Sequence, residues 1–135
     1  MKSRAVSKYF SPIRSSFQVS YRFPIHFTEG SFKKGNPLFS DVIRSGGDHS
    51  RHRVFFVIDK NVAHGHPDLT ASLSRYFSHN SSRLELVADP MIIPGGESCK
   101  NNPSLLKKIY RAVDRHNLCR HSYIVAVGGG ALVPA

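Results

Sequence analysis

Acidic residues are scarce in this chain: 9 Asp and Glu stand against 19 Lys and Arg, a formal charge of +10 before any of the 8 histidines protonates. A surplus of that size favours anionic partners such as nucleotides, sugar phosphates, RNA or acidic surfaces. Cysteine is nearly absent too. Cys99 and Cys119 fall in separate predicted elements without CxxC spacing, which argues against a disulfide framework or a zinc knuckle and for a reducing compartment. No apolar run approaches the ~18 residues needed to cross a bilayer, so no membrane partner is expected. Several catalytic signatures are missing as well: the chain has no GxSxG elbow, no GxxxxGK[ST] loop, no HExxH and no GxGxxG spacing.

What is present fits one domain, since 135 residues suffice for a single core. Residues 1–15 read as a basic, Ser-rich segment. Up to Thr28 the basic residues are Lys2, Arg4, Lys8, Arg14 and Arg22, with no acid among them. Organelle import signals share that composition, so import is the alternative to the cytoplasmic location expected otherwise. Against a discarded leader, "SFQVSYRFPIHFT" (16–28) alternates apolar and polar residues as a strand does. Residues 29–52, rich in Gly, Pro, Asn and Ser, read as a connection with a short helical turn over 38–43.

The compact unit is predicted to start at "RVFFVID" (53–59), whose continuous apolar run suits a strand buried on both faces. "HPDLTASLSRYFSHN" (66–80) follows as a helix with Pro67 in its first turn and Leu69, Leu73, Tyr76 and Phe77 on one face. "RLELVA" (83–88) reads as the next strand. A second helix is predicted from Asn102 as N-cap and Pro103 at the first helical position, through Leu105, Ile109 and Val113, to a left-handed turn at Asn117. "YIVAV" (123–127) is the third buried strand. The order β, α, β, α, β predicts an α/β fold with a Rossmann-like, wound parallel sheet.

Ligands of such sheets lie off the carboxyl ends of the strands. Three segments therefore matter: Asp59 and Asn61 after the first strand, "PGGESCK" with Gly95, Gly96, Glu97 and Lys100 after the second, and Gly128-Gly129-Gly130 after the third. Carboxylate and amide groups suit ribose or base edges, and glycines let backbone N–H groups approach a pyrophosphate. Each has a plainer reading: Asp59 as a helix cap, the glycine pair as a turn, and Glu97 with Lys100 as a solvated ion pair. Their convergence on one sheet edge is the stronger signal. His64 and His66 form an HxH pair with no third ligand in view, and Cys99 beside Lys100 reads as a bystander rather than a reactive thiolate.

In order, "FPIHFT", "NPLF", "VIDKNV", "IPGGESCKN" and "RHSYIVAVGGGAL" resemble the NAD-binding N-terminal portion of the sugar phosphate cyclases, the superfamily of 3-dehydroquinate synthase and the 2-epi-5-epi-valiolone synthases. The resemblance covers residues 17–133. It implies that Asp59 and Asn61 contact the adenosine part of NAD, that Glu97 and Lys100 serve the E-x-x-K of the cofactor site, and that Gly129, Gly130 and Ala131 form the pyrophosphate turn. In similar enzymes NAD transiently oxidises a carbon of a heptulose phosphate, phosphate is eliminated, the hydride returns and an aldol step closes the carbocycle. A divalent metal, zinc or cobalt, assists from a C-terminal helical domain, and homodimers are common in the superfamily. This sequence carries no such domain, and Pro134 stands where the family's GGGxxxD has its aspartate. The resemblance thus implies that 16–135 is an incomplete NAD-binding domain, truncated and inactive in cyclisation by itself. The other class of function is a non-catalytic nucleotide- or RNA-binding module with a basic surface, although nucleic acid is not the expected partner of a cyclase.

Overall fold

The computed structural model describes residues 13–46 and 51–129. Its centre is β1 (His52–Asp59), in which every residue except Arg53 is buried. Val, Phe and Ile dominate this strand because β-branched and aromatic side chains pack well on a pleated surface covered from both sides. β4 (Tyr123–Val127) pairs parallel to β1 from Val54 to Ile58. β2 (Leu84–Leu86) and β3 (Met91–Ile93) also pair parallel to β1, at its two ends. Val54 faces both Leu86 and Tyr123, and Val57 faces both Met91 and Ala126, so β2 and β3 share the edge of β1 that β4 does not use.

β2 and β3 are therefore two pieces of one interrupted strand. The expected single strand over 83–88 is shorter than predicted, and its continuation at Met91–Ile93 was not anticipated. Pro90 explains the break. After the Val87 N–H reaches the Val54 carbonyl, residues 88–90 leave the ladder, and a proline cannot donate to it.

Helices cover both faces of the sheet. On one face Val54, Phe56 and Ile58 pack with Ile43 of α1 (Leu38–Ser45) and with Leu73, Tyr76 and Phe77 of α3 (Leu69–His79). On the other, Phe55 and Val57 meet Ile93 and then Leu105 and Ala112 of α4 (Pro103–Arg115). The result is a mixed α/β unit with a small open parallel sheet, compatible with a Rossmann-like arrangement. The Asn102 side chain caps α4 by accepting the Ser104 and Leu105 N–H groups at 3.1 and 3.2 Å, Pro103 opens the helix, and Asn117 has φ 48°, all as predicted.

Three expectations are corrected. Residues 16–28 form no strand and lie exposed, with Phe17, Phe23 and Phe27 88–95% accessible. Alternation gives the potential for a strand, but a strand needs a partner for its hydrogen bonds. A short helix, α2 (Lys60–Gly65), follows β1 directly, and Pro67 lies ahead of α3 rather than within its first turn. β4 is covered on one side only: Tyr123, Val125 and Val127 are half-buried, while Ile124 and Ala126 are exposed. No helix among the described residues is long and apolar enough to cross a membrane.

A buried phenol ties α1 to this core. Tyr76 Oη accepts the Ser40 N–H at 3.2 Å and donates to the Asn36 carbonyl at 3.1 Å. Burial, the largest influence, raises its pKa above the usual 10.0. Below that pH the phenol is protonated in both states; above it the unfolded chain ionises first, so stability should fall as pH rises past 10.0. Tyr76→Phe leaves the two backbone groups without this partner and should cost about 1–3 kcal/mol, read as a lower urea midpoint. It should also remove the Tyr76 part of the alkaline loss.

Candidate functional site

The strand order reverses at β1: the chain passes from β1 to β2 and β3 on one side, then returns to place β4 on the other. In open parallel sheets such a reversal separates the carboxyl-end loops and leaves a crevice for ligands. Asp59 closes β1, the turn after Ile93 closes β3, and Gly128 and Gly129 follow β4, so these segments sit at one edge as the sequence suggested. Gly130 and Ala131 lie outside the described residues.

Asp59 is 6% exposed and caps α2, accepting the Asn61 N–H on Oδ1 at 2.7 Å. The helix-cap reading is thus realised. The carboxylate also lies against the Gly95 turn, which leaves it little surface of its own. The Asn61 side chain is exposed beside it.

The glycines of "PGG" divide the work. A Cβ on Gly95 would fall on the Asp59 carboxylate, so only glycine lets this turn close against the end of β1. Gly96 has φ 77°, a left-handed conformation that other residues enter at a cost. At Gly129 a Cβ would meet no heavy atom of the described residues within 4 Å.

Glu97 opens a single 3-10 turn (Glu97–Cys99), Lys100 follows it, and the two pair at 3.0 Å. With the side chains 83% and 49% exposed, the pair is a solvated one worth at most about 1 kcal/mol, and it leaves both groups accessible. Cys99 is half-buried, and its thiol donates to the Gly96 carbonyl at 2.8 Å. Cys119 precedes β4 at the far end of the sheet, where the His121 backbone N–H and then the Ser122 hydroxyl lower its pKa. Neither cysteine is in a disulfide.

Two cavities flank the pairing of β1 with β4, one on each face. The first, about 610 Å³, runs between β4 and the start of α4 along Ile93, Asn102, Leu106, Ile124 and Ala126. The second, about 620 Å³, lies between Val127 and the segment from Val62 to Leu69, with His66 at its wall. Asp59, Asn61, Glu97, Lys100 and Gly129 stand outside both linings, at the sheet edge between them. The strand reversal therefore gathers the expected residues at one edge without enclosing them.

Toward an NAD-like dinucleotide this edge presents an exposed backbone at Gly129 and the exposed Asn61 amide, beside an Asp59 carboxylate that is itself 6% exposed. For a metal there is no comparable set. Among the described residues no three His, Cys, Asp or Glu side chains are grouped to hold one, and His64 and His66 remain a pair on α2 and the turn after it. The sequence reading gave no role to Lys108, Arg111 and Arg115, whose spacing along α4 was visible beforehand. No protein-family model, curated protein or solved structure matches this chain.

Proposed function

We propose that this chain is the NAD-binding portion of a 3-dehydroquinate synthase-like sugar phosphate cyclase, with the N-terminal Rossmann-like fold of that superfamily. The supporting observation is the strand reversal at β1, which puts Asp59, the Gly95-Gly96 turn and Gly129 at one carboxyl edge. In this reading Asp59 and Asn61 hold the adenosine ribose, Glu97 and Lys100 border the cofactor, and the Gly129, Gly130 and Ala131 backbone receives the pyrophosphate. Bound NAD would supply hydride acceptance and return. The residues of this chain bind and orient it, and the conversion of a heptulose phosphate requires metal and phosphate ligands beyond those described.

Calorimetric titration with NAD tests the reading. The wild-type chain should bind, and Asp59→Asn should weaken binding while leaving thermal stability nearly unchanged, because asparagine caps a helix about as well as aspartate. Asp59→Ala should lose binding and about 1 kcal/mol of stability. Undiminished NAD affinity in both variants would overturn the assignment of Asp59, and no heat of binding in the wild type would overturn the reading.

A further inference from the structure

Positive charge gathers at the end of the sheet opposite the proposed nucleotide edge. Arg51 and Arg53 open β1, Arg83 leads into β2, Arg120 leads into β4, and Arg115 closes α4. Among the described residues Glu85 is the one acid paired there, accepting Arg51 at 3.6 Å and Arg53 at 3.5 Å. The Arg53 guanidinium also donates to the His116 and Asn117 carbonyls at 2.8 and 2.9 Å, which pins the end of α4 to the start of β1. The basic end of the sheet and the end of α4 are thereby held next to each other.

A groove of about 430 Å³ lies between α4 and residues 88–91, walled by Lys108, Arg111, Arg115 and His116 against a single acid, Asp89. Its floor is the apolar surface of Phe55, Met91 and Ala112. Lys108, Arg111 and Arg115 are exposed, and no ion pair among the described residues engages them. From the rise of an α-helix, the three follow one another at about 4.5 and 6 Å along the axis. Lys and Arg side chains are long enough to converge on one phosphate, but continued by the arginines at the sheet end these positions form a track that suits successive phosphates of a single strand. The groove also recesses its floor, which a flat bilayer surface would not follow.

We infer that this groove, continued across the basic end of the sheet, binds the phosphate backbone of single-stranded nucleic acid, at a site separate from the proposed NAD edge. Contacts of this kind come from charge on a tracked backbone and carry no base preference. Fluorescence anisotropy of the 135-residue protein with labelled oligo-U and oligo-dT across a salt series tests it. Both probes should bind, with log K falling linearly in log salt. Arg111→Gln with Arg115→Gln removes two phosphate contacts, so the slope should become shallower by about 1.4 and affinity at low salt should fall roughly tenfold or more. Both side chains lie on an exposed helix face, so the doubly substituted chain should stay folded. Lys33→Gln with Lys34→Gln loses the same charge elsewhere and should leave the slope nearly unchanged. Equal losses in the two variants would overturn the proposal, since overall charge alone would then explain binding. Complete displacement of oligo-U by pyrophosphate at equal concentration would also overturn it, by marking a pocket for small anions.

Discussion

Phe56→Ala is expected to be the most damaging single change in the core, at about 3–5 kcal/mol. The ring is fully buried and central to an aromatic cluster. It meets Phe32 and Phe77 edge-on with centroids 5.7 Å away, and lies tilted on Phe39 at 5.8 Å. Removing it leaves a cavity bounded by α1, α3 and the loop before α1, three elements that make few backbone hydrogen bonds to one another and cannot collapse together. Domains of this kind have only about 5–15 kcal/mol of stability, so the change should abolish or greatly broaden the urea transition. Ile124→Ala is the contrast. Ile124 is 48% exposed on the uncovered side of β4, and its truncation should cost well under half as much. Similar midpoints for the two variants would show that the Phe56 cluster is not the centre of the core.

Gly95→Val should have the largest effect at the candidate site. Its branched side chain would occupy the place of the Asp59 carboxylate, so either the turn after β3 or the end of β1 must move. Overpacking of this kind costs about 1–3 kcal/mol, and displacing Asp59 also undoes the cap of α2. NAD affinity should be lost together with a fall in melting temperature. Gly129→Ala separates the two consequences: its new methyl meets no atom of the described residues, so stability should change by less than about 0.5 kcal/mol while the proposed pyrophosphate contact is lost. If Gly95→Val melts and binds like the wild type, the close approach of the turn to Asp59 has no role in the site.

The fold was legible where one local signal dominated. β1 was readable because its apolar run is short, β-branched and aromatic, which suits a strand covered on both faces, and α4 because Asn102, Pro103 and Asn117 mark both of its ends. Failures came where the outcome depended on a partner. The 16–28 segment has the period of a strand yet pairs with no strand among the described residues, and β3 was hidden because Met91–Ile93 is short and stands behind Pro90. Asp59, Gly95 and Gly129 were legible as an edge because position after a strand is a topological property. The burial of Asp59 beneath the Gly95 turn was not, and neither was the cavity under Lys108, Arg111 and Arg115, since such features arise from elements distant in sequence.

The central place of β1 also shapes how the chain must emerge during synthesis. Val54 finds one neighbour at Leu86 and the other only at Tyr123, so the middle strand is made first and completed last. At about 5–20 residues per second, its second edge stays unpaired for roughly three to fifteen seconds on the ribosome. Five consecutive Val, Phe and Ile residues without a charge are an aggregation hazard for that interval. Arg51 and Arg53 on one side and Asp59 and Lys60 on the other bracket the run as charged gatekeepers. The same residues that open the basic end and close the opposite edge of the sheet would thus protect the nascent strand while it waits.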